Sequence, residues 1–314
     1  MSRPISFATL ALLLALLMLT SLAARAEGRD FMVDADWVVA EKEKNPKLVI
    51  LEVRYHPHRY LTVGHIPGAI QVMRFKDLGD NAGRSIMLFP TQNDFEATLR
   101  RWGVDNDSTL VIYDDSRSAL AARLYYLLEL YGFDMARVKI LDGGAHEWSG
   151  FNELTKEPTP APKPGTVTLK SANSKLFVDW AAVYKDVVSL RDPNVVLIDA
   201  RPADMYTGKV VRHAVQGGHI PGAINIVGLD ATDGPTQKWF DQDRLAAFYK
   251  NVDKNKTVYV YCHDGFRMSL AWLQMKALGF KDPRVIDGGW GIWDRAFTLP
   301  VVEGDQPYDD EFAL

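Results

Sequence analysis

Cys262, the only cysteine in the chain, stands where the apolar run Thr257-Val258-Tyr259-Val260-Tyr261 gives way to the polar loop His263-Asp264-Gly265-Phe266-Arg267. The run is β-branched and aromatic, as a buried strand should be, and Leu270, Leu273, Met275, Ala277 and Leu278 suit a packed helix starting near Met268. A thiol at such a junction can serve as a nucleophile. If the loop curls around the sulfur, the N–H groups from His263 to Met268 and the positive end of the helix favour its anionic form. Gly265 permits the tight curl, because a residue without Cβ enters left-handed backbone freely. Magnitudes set the demand on this loop. A helix terminus supplies about 0.3–1 kcal/mol and one pKa unit corresponds to about 1.4 kcal/mol, so the dipole alone moves the thiol by about one unit. Bringing the thiol below neutral requires the loop N–H groups and the charge of Arg267, while an inward Asp264 opposes them. The sequence thus predicts a nucleophilic cysteine in an anion cradle. The plain alternative, a lone cysteine as a small buried hydrophobe, explains neither the glycine nor the arginine.

The elements that position this loop occur twice. Gly64-His65-Ile66-Pro67-Gly68-Ala69-Ile70 returns letter for letter as Gly218-His219-Ile220-Pro221-Gly222-Ala223-Ile224. Each copy follows an apolar run ending in arginine, Val49 to Arg54 and Val196 to Arg201. Leu110 to Tyr113 matches Val258 to Tyr261, and Asp142-Gly143-Gly144 with Trp148 matches Asp287-Gly288-Gly289 with Trp290 and Trp293. Apolar strands alternate with helical patterns over 94–102, 119–131, 180–189 and 244–249. The predicted fold class is therefore α/β, two tandem domains, each a parallel sheet with helices on both faces. Ligands of such sheets bind at the carboxyl ends of strands, where Cys262 falls. In the first copy Asp114 takes the place of Cys262, and a carboxylate cannot act as a sulfur nucleophile. That domain reads as catalytically silent, either covering the second domain's site or retained only for packing.

Domain boundaries follow from composition. Arg3, an apolar stretch from about Ile5 to Leu22 and Ala24-Arg25-Ala26 read as an export signal over residues 1–26, cleaved before Glu27. The first domain is then residues 27–155. Residues 156–165 carry four prolines and form a stiff connector, and residues 166–314 make the second domain. The mature protein is expected to be periplasmic, with no stable membrane insertion, and monomeric because one domain can cover the other. A single cysteine leaves no internal disulfide. The net charge of -4, with 36 basic and 40 acidic residues, has no basic block of the kind that binds nucleic acid. No Cys/His spacing suits a metal.

Together the repeated Gly-His-Ile-Pro-Gly-Ala-Ile, Asp199-x-Arg201, Cys262-x-x-Gly265-x-Arg267 and Asp287-Gly288-Gly289-Trp290 resemble the rhodanese family of sulfurtransferases in its exported tandem form. The resemblance covers nearly all of the mature chain and implies a two-step transfer without a cofactor. Cys262 takes sulfane sulfur from thiosulfate as a persulfide and passes it to an acceptor, cyanide or a thiol. In this resemblance His263, Asp264, Gly265, Phe266, Arg267 and Met268 form the anion cradle, and Asp199 and Arg201 brace it. His65 and His219 are turn residues, and Trp290 and Trp293 pack. Lys209, Arg212 and His213 approach the entrance. Two departures touch the donor: thiosulfate enzymes of the family carry arginine and lysine where Met205 and Asp264 stand here. A mercaptopyruvate-type donor is the nearest alternative, although the loop does not match the small uncharged loop of those enzymes. A cysteine phosphatase or arsenate reductase is a second alternative, but phosphatase loops place five residues between Cys and Arg, and here there are four. A noncatalytic periplasmic binding module, or a redox partner built on the same scaffold, is the third.

Overall fold

Each half of the chain builds a five-stranded parallel sheet. The structure, a computed structural model, describes residues 28–80 and 87–309. The export signal read over residues 1–26 lies outside them. In the first half, strands β1 (Met32–Val33), β2 (Leu48–Val53), β3 (Ile70–Val72), β4 (Thr109–Asp114) and β5 (Val138–Leu141) lie in the order β1-β5-β4-β2-β3. In the second half, β6 (Phe177–Val178), β7 (Val195–Asp199), β8 (Ala223–Asn225), β9 (Thr257–Tyr261) and β10 (Asp282–Ile286) repeat that order as β6-β10-β9-β7-β8. All pairings are parallel. The central strands β4 and β9 are buried almost throughout, which is why they read as unbroken apolar runs.

The helical expectations hold with small shifts. The patterns over 94–102, 119–131 and 244–249 fold as Gln92–Arg101, Ala119–Leu130 and Gln242–Phe248. The pattern over 180–189 is divided, with an α-helical turn Trp180–Val183 running into a π-helical stretch Tyr184–Ser189. The helix after Cys262 starts at Phe266, two residues before the apolar periodicity, and runs to Ala277.

Ala119–Leu130 and Phe266–Ala277 pack against each other across the two halves. Nearly every residue of both is buried, as expected for helices apolar all round. Tyr126 meets Trp272 edge to face, ring centroids 4.9 Å apart. One apolar core runs through both halves. The duplication also shows in the polar contacts between them: Phe89 N–H donates to Asp287 Oδ1 at 3.0 Å, and Trp239 N–H donates to Asp142 Oδ1 at 3.1 Å. Each Asp-Gly-Gly aspartate is thus held by a backbone group of the other half.

The proline-containing segment does not hang free. His65 and Thr155 form a bridge. Gly165 N–H donates to Arg100 O at 2.8 Å, and a Cβ on Gly165 would stand 2.1 Å from Val104 O. Lys170 and Asn173 N–H groups continue onto Tyr131 O and Leu130 O before β6 begins. Among the described residues no helix is long and apolar enough to cross a membrane.

Candidate active site

Strand β9 delivers Cys262 to the carboxyl end of the second sheet. Its carbonyl accepts from Trp290 N–H at 2.9 Å, and a Cβ on Gly289 would lie 2.3 Å from that oxygen. The second glycine of Asp287-Gly288-Gly289 is therefore demanded by the close approach of the Gly289–Trp293 helix to the strand end. Gly265, at φ +95°, caps the Phe266–Ala277 helix and donates its N–H to Cys262 Sγ at 3.1 Å. The Met268 N–H also faces the sulfur. The curl expected from the glycine is present.

The electrostatic balance differs from the expectation. Cys262 is fully buried, and burial followed by the charge of Asp264 pushes its thiol above the ordinary range, against the opposing Met268 N–H, Arg267 and Gly265 N–H. Desolvation of the sulfur is what sequence spacing could not weigh. Backbone N–H groups face the sulfur, yet in this closed arrangement the thiol is the favoured form.

The other predicted residues divide by role. Arg267 is half-buried and makes no hydrogen bond or ion pair among the described residues, leaving its guanidinium available to an anion. His263 is half-buried, with its ring 6.2 Å from that of His213. Burial keeps its imidazole below the usual range, and its Nδ1 has no hydrogen-bond partner. Asp264 is half-buried beside it, Met268 is buried, and Phe266 is buried with its ring edge-on to Phe75 of the first domain at 6.1 Å.

Asp199 and Arg201 lie behind the loop. The Arg201 Nη2 and Nε donate to Asp199 at 2.6 and 3.0 Å, Nη2 also reaches Gly218 O at 2.6 Å, and the guanidinium stacks 4.1 Å over Trp290. This pair ties the strand end to the repeated Gly-His turn and packs under the helix that touches Cys262 O, a bracing arrangement. His219 sits in that turn, stacked on Tyr206 with its Nδ1 2.9 Å from Tyr206 O. It has the turn role and no line to Cys262. Trp290 and Trp293 are buried packing residues. Met205 is buried, while Lys209, Arg212 and His213 are exposed.

The first domain shows the same cradle already filled. Asp114 Oδ1 accepts from the N–H groups of Ser116 (2.9 Å) and Ser118 (3.0 Å), and Oδ2 from those of Leu120 (2.8 Å) and Ala121 (3.0 Å). The loop is one residue longer than its counterpart. Arg117 and Ser118 adopt positive φ of 56° and 66° where the second domain uses Gly265 alone. An internal carboxylate thus takes the N–H groups that an anionic sulfur would need.

One residue at the site was not singled out from sequence. Arg123, from the first domain's Ala119–Leu130 helix, is fully buried with its guanidinium against the Cys262 loop; a Cβ on Gly265 would stand 2.9 Å from Arg123 Nη1. The available signal was a lone arginine among Ala, Leu and Tyr, since a buried cation in an apolar helix demands a reason.

A duplicated parallel α/β fold, with one cysteine held by backbone N–H groups at a strand end and its twin position closed by aspartate, defines a tandem sulfur-handling protein. The family model described as rhodanese-like domain matches residues 34–150 and 185–296, and the chain belongs to this family. It is a tandem rhodanese-type sulfurtransferase. Its relatives include the putative thiosulfate sulfurtransferase SseA of Mycobacterium bovis, 31% identical with 88% of this chain and 92% of that protein covered. The 3-mercaptopyruvate sulfurtransferase of Escherichia coli K12 is 28% identical, covering 86% and 97%, and the sulfur carrier protein TtuD of Thermus thermophilus is 27% identical, covering 88% and 98%. Among solved structures, SseA from Escherichia coli superposes with TM-score 0.70 at 25% identity, covering 83% of this chain and 98% of that one.

Proposed function

We propose that Cys262, as thiolate, attacks the outer sulfur of thiosulfate. The thiosulfate S–S bond breaks, sulfite leaves with the electron pair, and a Cys262 persulfide forms. An acceptor, cyanide or a cellular thiol, then attacks the terminal sulfur and restores the thiolate. The observation that carries this reading is the 3.1 Å bond from Gly265 N–H to Cys262 Sγ, with Met268 N–H beside it: preorganised backbone donors stabilise charge as it develops on sulfur. Arg267, whose side chain makes no hydrogen bond or ion pair among the described residues, attracts the anionic donor and can fork onto its oxygens. Asp199 and Arg201 hold the loop in place.

Mercaptopyruvate is the second donor reading, supported by the name of the Escherichia coli relative; Asp264 matches neither the lysine of the family's thiosulfate enzymes nor the uncharged loop of its mercaptopyruvate enzymes. The four-residue Cys-to-Arg spacing disfavours a phosphatase, because it makes a smaller ring of N–H groups than a tetrahedral phosphate requires. The enzyme is proposed to act in the periplasm after removal of residues 1–26, without membrane insertion, and as a monomer whose first domain closes the site.

The test is intact mass of the signal-free protein after thiosulfate, then after cyanide, beside Cys262→Ser. A gain of one sulfur, its loss as thiocyanate and no gain in the variant is the expected result. No gain with thiosulfate but a gain with mercaptopyruvate would change the donor, and no gain with either would overturn sulfur transfer through Cys262.

A further inference from the structure

We propose that Arg123, carried by the domain without a cysteine, is an electrostatic positioning residue of the Cys262 loop, set against Gly265 to hold the loop in place for an anionic sulfur. The inference rests on the sulfur-transfer reading only in naming the thiolate and persulfide as the anions served.

The geometry is specific. Arg123 Nε and Nη2 donate to Leu78 O at 3.3 and 3.2 Å, and Nη2 reaches Leu88 O at 3.4 Å. These backbone anchors, with Phe89 under the guanidinium at 5.0 Å, fix the side chain in one orientation. Nη1 is left over: it is buried and has no acceptor among the described residues. It points at Gly265, the residue whose N–H holds the sulfur. A guanidinium buried without a carboxylate in contact among the described residues is costly unless something offsets it.

What offsets it is the acidic side chains near the loop. Burial disfavours the Arg123 charge, and Asp287, the Cys262 sulfur once ionised, and Asp264 favour it. Because Coulomb coupling is mutual, the same charge favours the Cys262 anion. Arginine stays protonated in proteins, so this contribution persists across pH. Of the other charged groups, Asp264 and Arg267 on the Cys262 loop act on the sulfur, Asp287 after β10 acts on Arg123, and Arg201, paired with Asp199 after β7, acts on His263. Asp287 matters for the size of the effect. Burial pushes its carboxyl up to about 6, with Arg123 opposing. Without Arg123 it would hold its proton to higher pH, and the lost negative charge would offset part of the lost positive one.

The experiment is the second-order rate of iodoacetamide alkylation of Cys262 from pH 7 to 10.5 in the full signal-free chain, for wild type, Arg123→Met, Arg123→Gln and Arg123→Lys. Opposite charges close by shift a pKa by about 1–3 units, and the Asp287 offset brings the expectation to the low end. The two neutral variants should react about three- to tenfold more slowly at pH 8, their curves displaced to higher pH, with Arg123→Lys recovering most of the rate. Arg123→Gln keeps amide donors for Leu78 O and Leu88 O, so it covers the case in which Arg123→Met does not fold. Should neither neutral variant fold while Arg123→Lys folds and reacts on the wild-type curve, the requirement is for the charge and the proposal stands. Superimposed curves for wild type and a folded neutral variant would overturn it, as would an equal loss in Arg123→Lys. Persulfide mass gain, measured separately, keeps the two readings apart: displaced alkylation without persulfide removes sulfur transfer and leaves the Arg123 role, and persulfide with undisplaced alkylation does the reverse.

Discussion

A thiol that must attack as an anion but is buried as a neutral group sets the chemistry of Cys262. A free cysteine thiol titrates at about 8.5, and burial raises that of Cys262 further. The thiolate fraction therefore stays on its rising limb through neutral pH, growing about tenfold per pH unit below the pKa. The expected outcome is an alkylation rate that climbs about tenfold from pH 7 to 8 and has not levelled at pH 8.5, followed by mass spectrometry of iodoacetamide-treated protein. A plateau below pH 8 would show that the N–H groups and Arg267 outweigh desolvation. Sulfur loading that shares this climb would tie the thiolate to the first step. The structural reason for accepting a high thiol pKa lies in the same residues: a closed, dry cradle makes each N–H contact to sulfur stronger than it would be in water.

The strand-loop-helix element is used twice, and its two endings show how a cradle can be kept open or shut. In the first domain the Asp114 carboxylate satisfies four backbone N–H groups at the start of the Ala119–Leu130 helix. Removing it strands those donors, three of them in buried residues. Asp114→Ala should cost about 3–5 kcal/mol of stability, seen as a fall in the urea midpoint, and Asp114→Asn, which retains one acceptor, markedly less. A change below about 1 kcal/mol in the alanine variant would show that water takes over the site. Much of this element was legible beforehand. Thr257–Tyr261 folds as the strand its β-branched and aromatic run indicated, and the paired Asp-Gly-Gly motifs fall where a helix start meets a strand-end carbonyl. What sequence could not reveal was the left-handed backbone of the first loop, because Ser118 adopts at φ 66° a conformation that composition assigns to glycine. It was equally silent on Arg123. Helical periodicity places that residue on its own helix but says nothing of which loop of the other domain it will meet.

At the scale of the molecule, the two domains share too much buried surface to behave as beads on a string. The proline-rich connector is fastened along the first domain, the Asp142 and Asp287 carboxylates each accept from the opposite half, and Lys276 pairs with Glu129 between the two central helices. The Tyr126 ring sits edge-on to Trp272 in the shared core, and its hydroxyl donates to Leu176 O at 2.9 Å. Unfolding one domain would expose the other's apolar helix, so the open intermediate carries the full penalty of that surface. The chain is therefore expected to unfold in urea as one cooperative unit. Far-ultraviolet circular dichroism follows both domains, while tryptophan fluorescence is weighted to the second, which holds Trp180, Trp239, Trp272, Trp290 and Trp293. The two curves should coincide, and Tyr126→Ala should move both together to lower urea by about 3–5 kcal/mol. A fluorescence transition well before the loss of helicity would mean that the second domain opens alone. In that case the burial of its thiol would be a property of the second domain, and the first domain would cover the site without stabilising it.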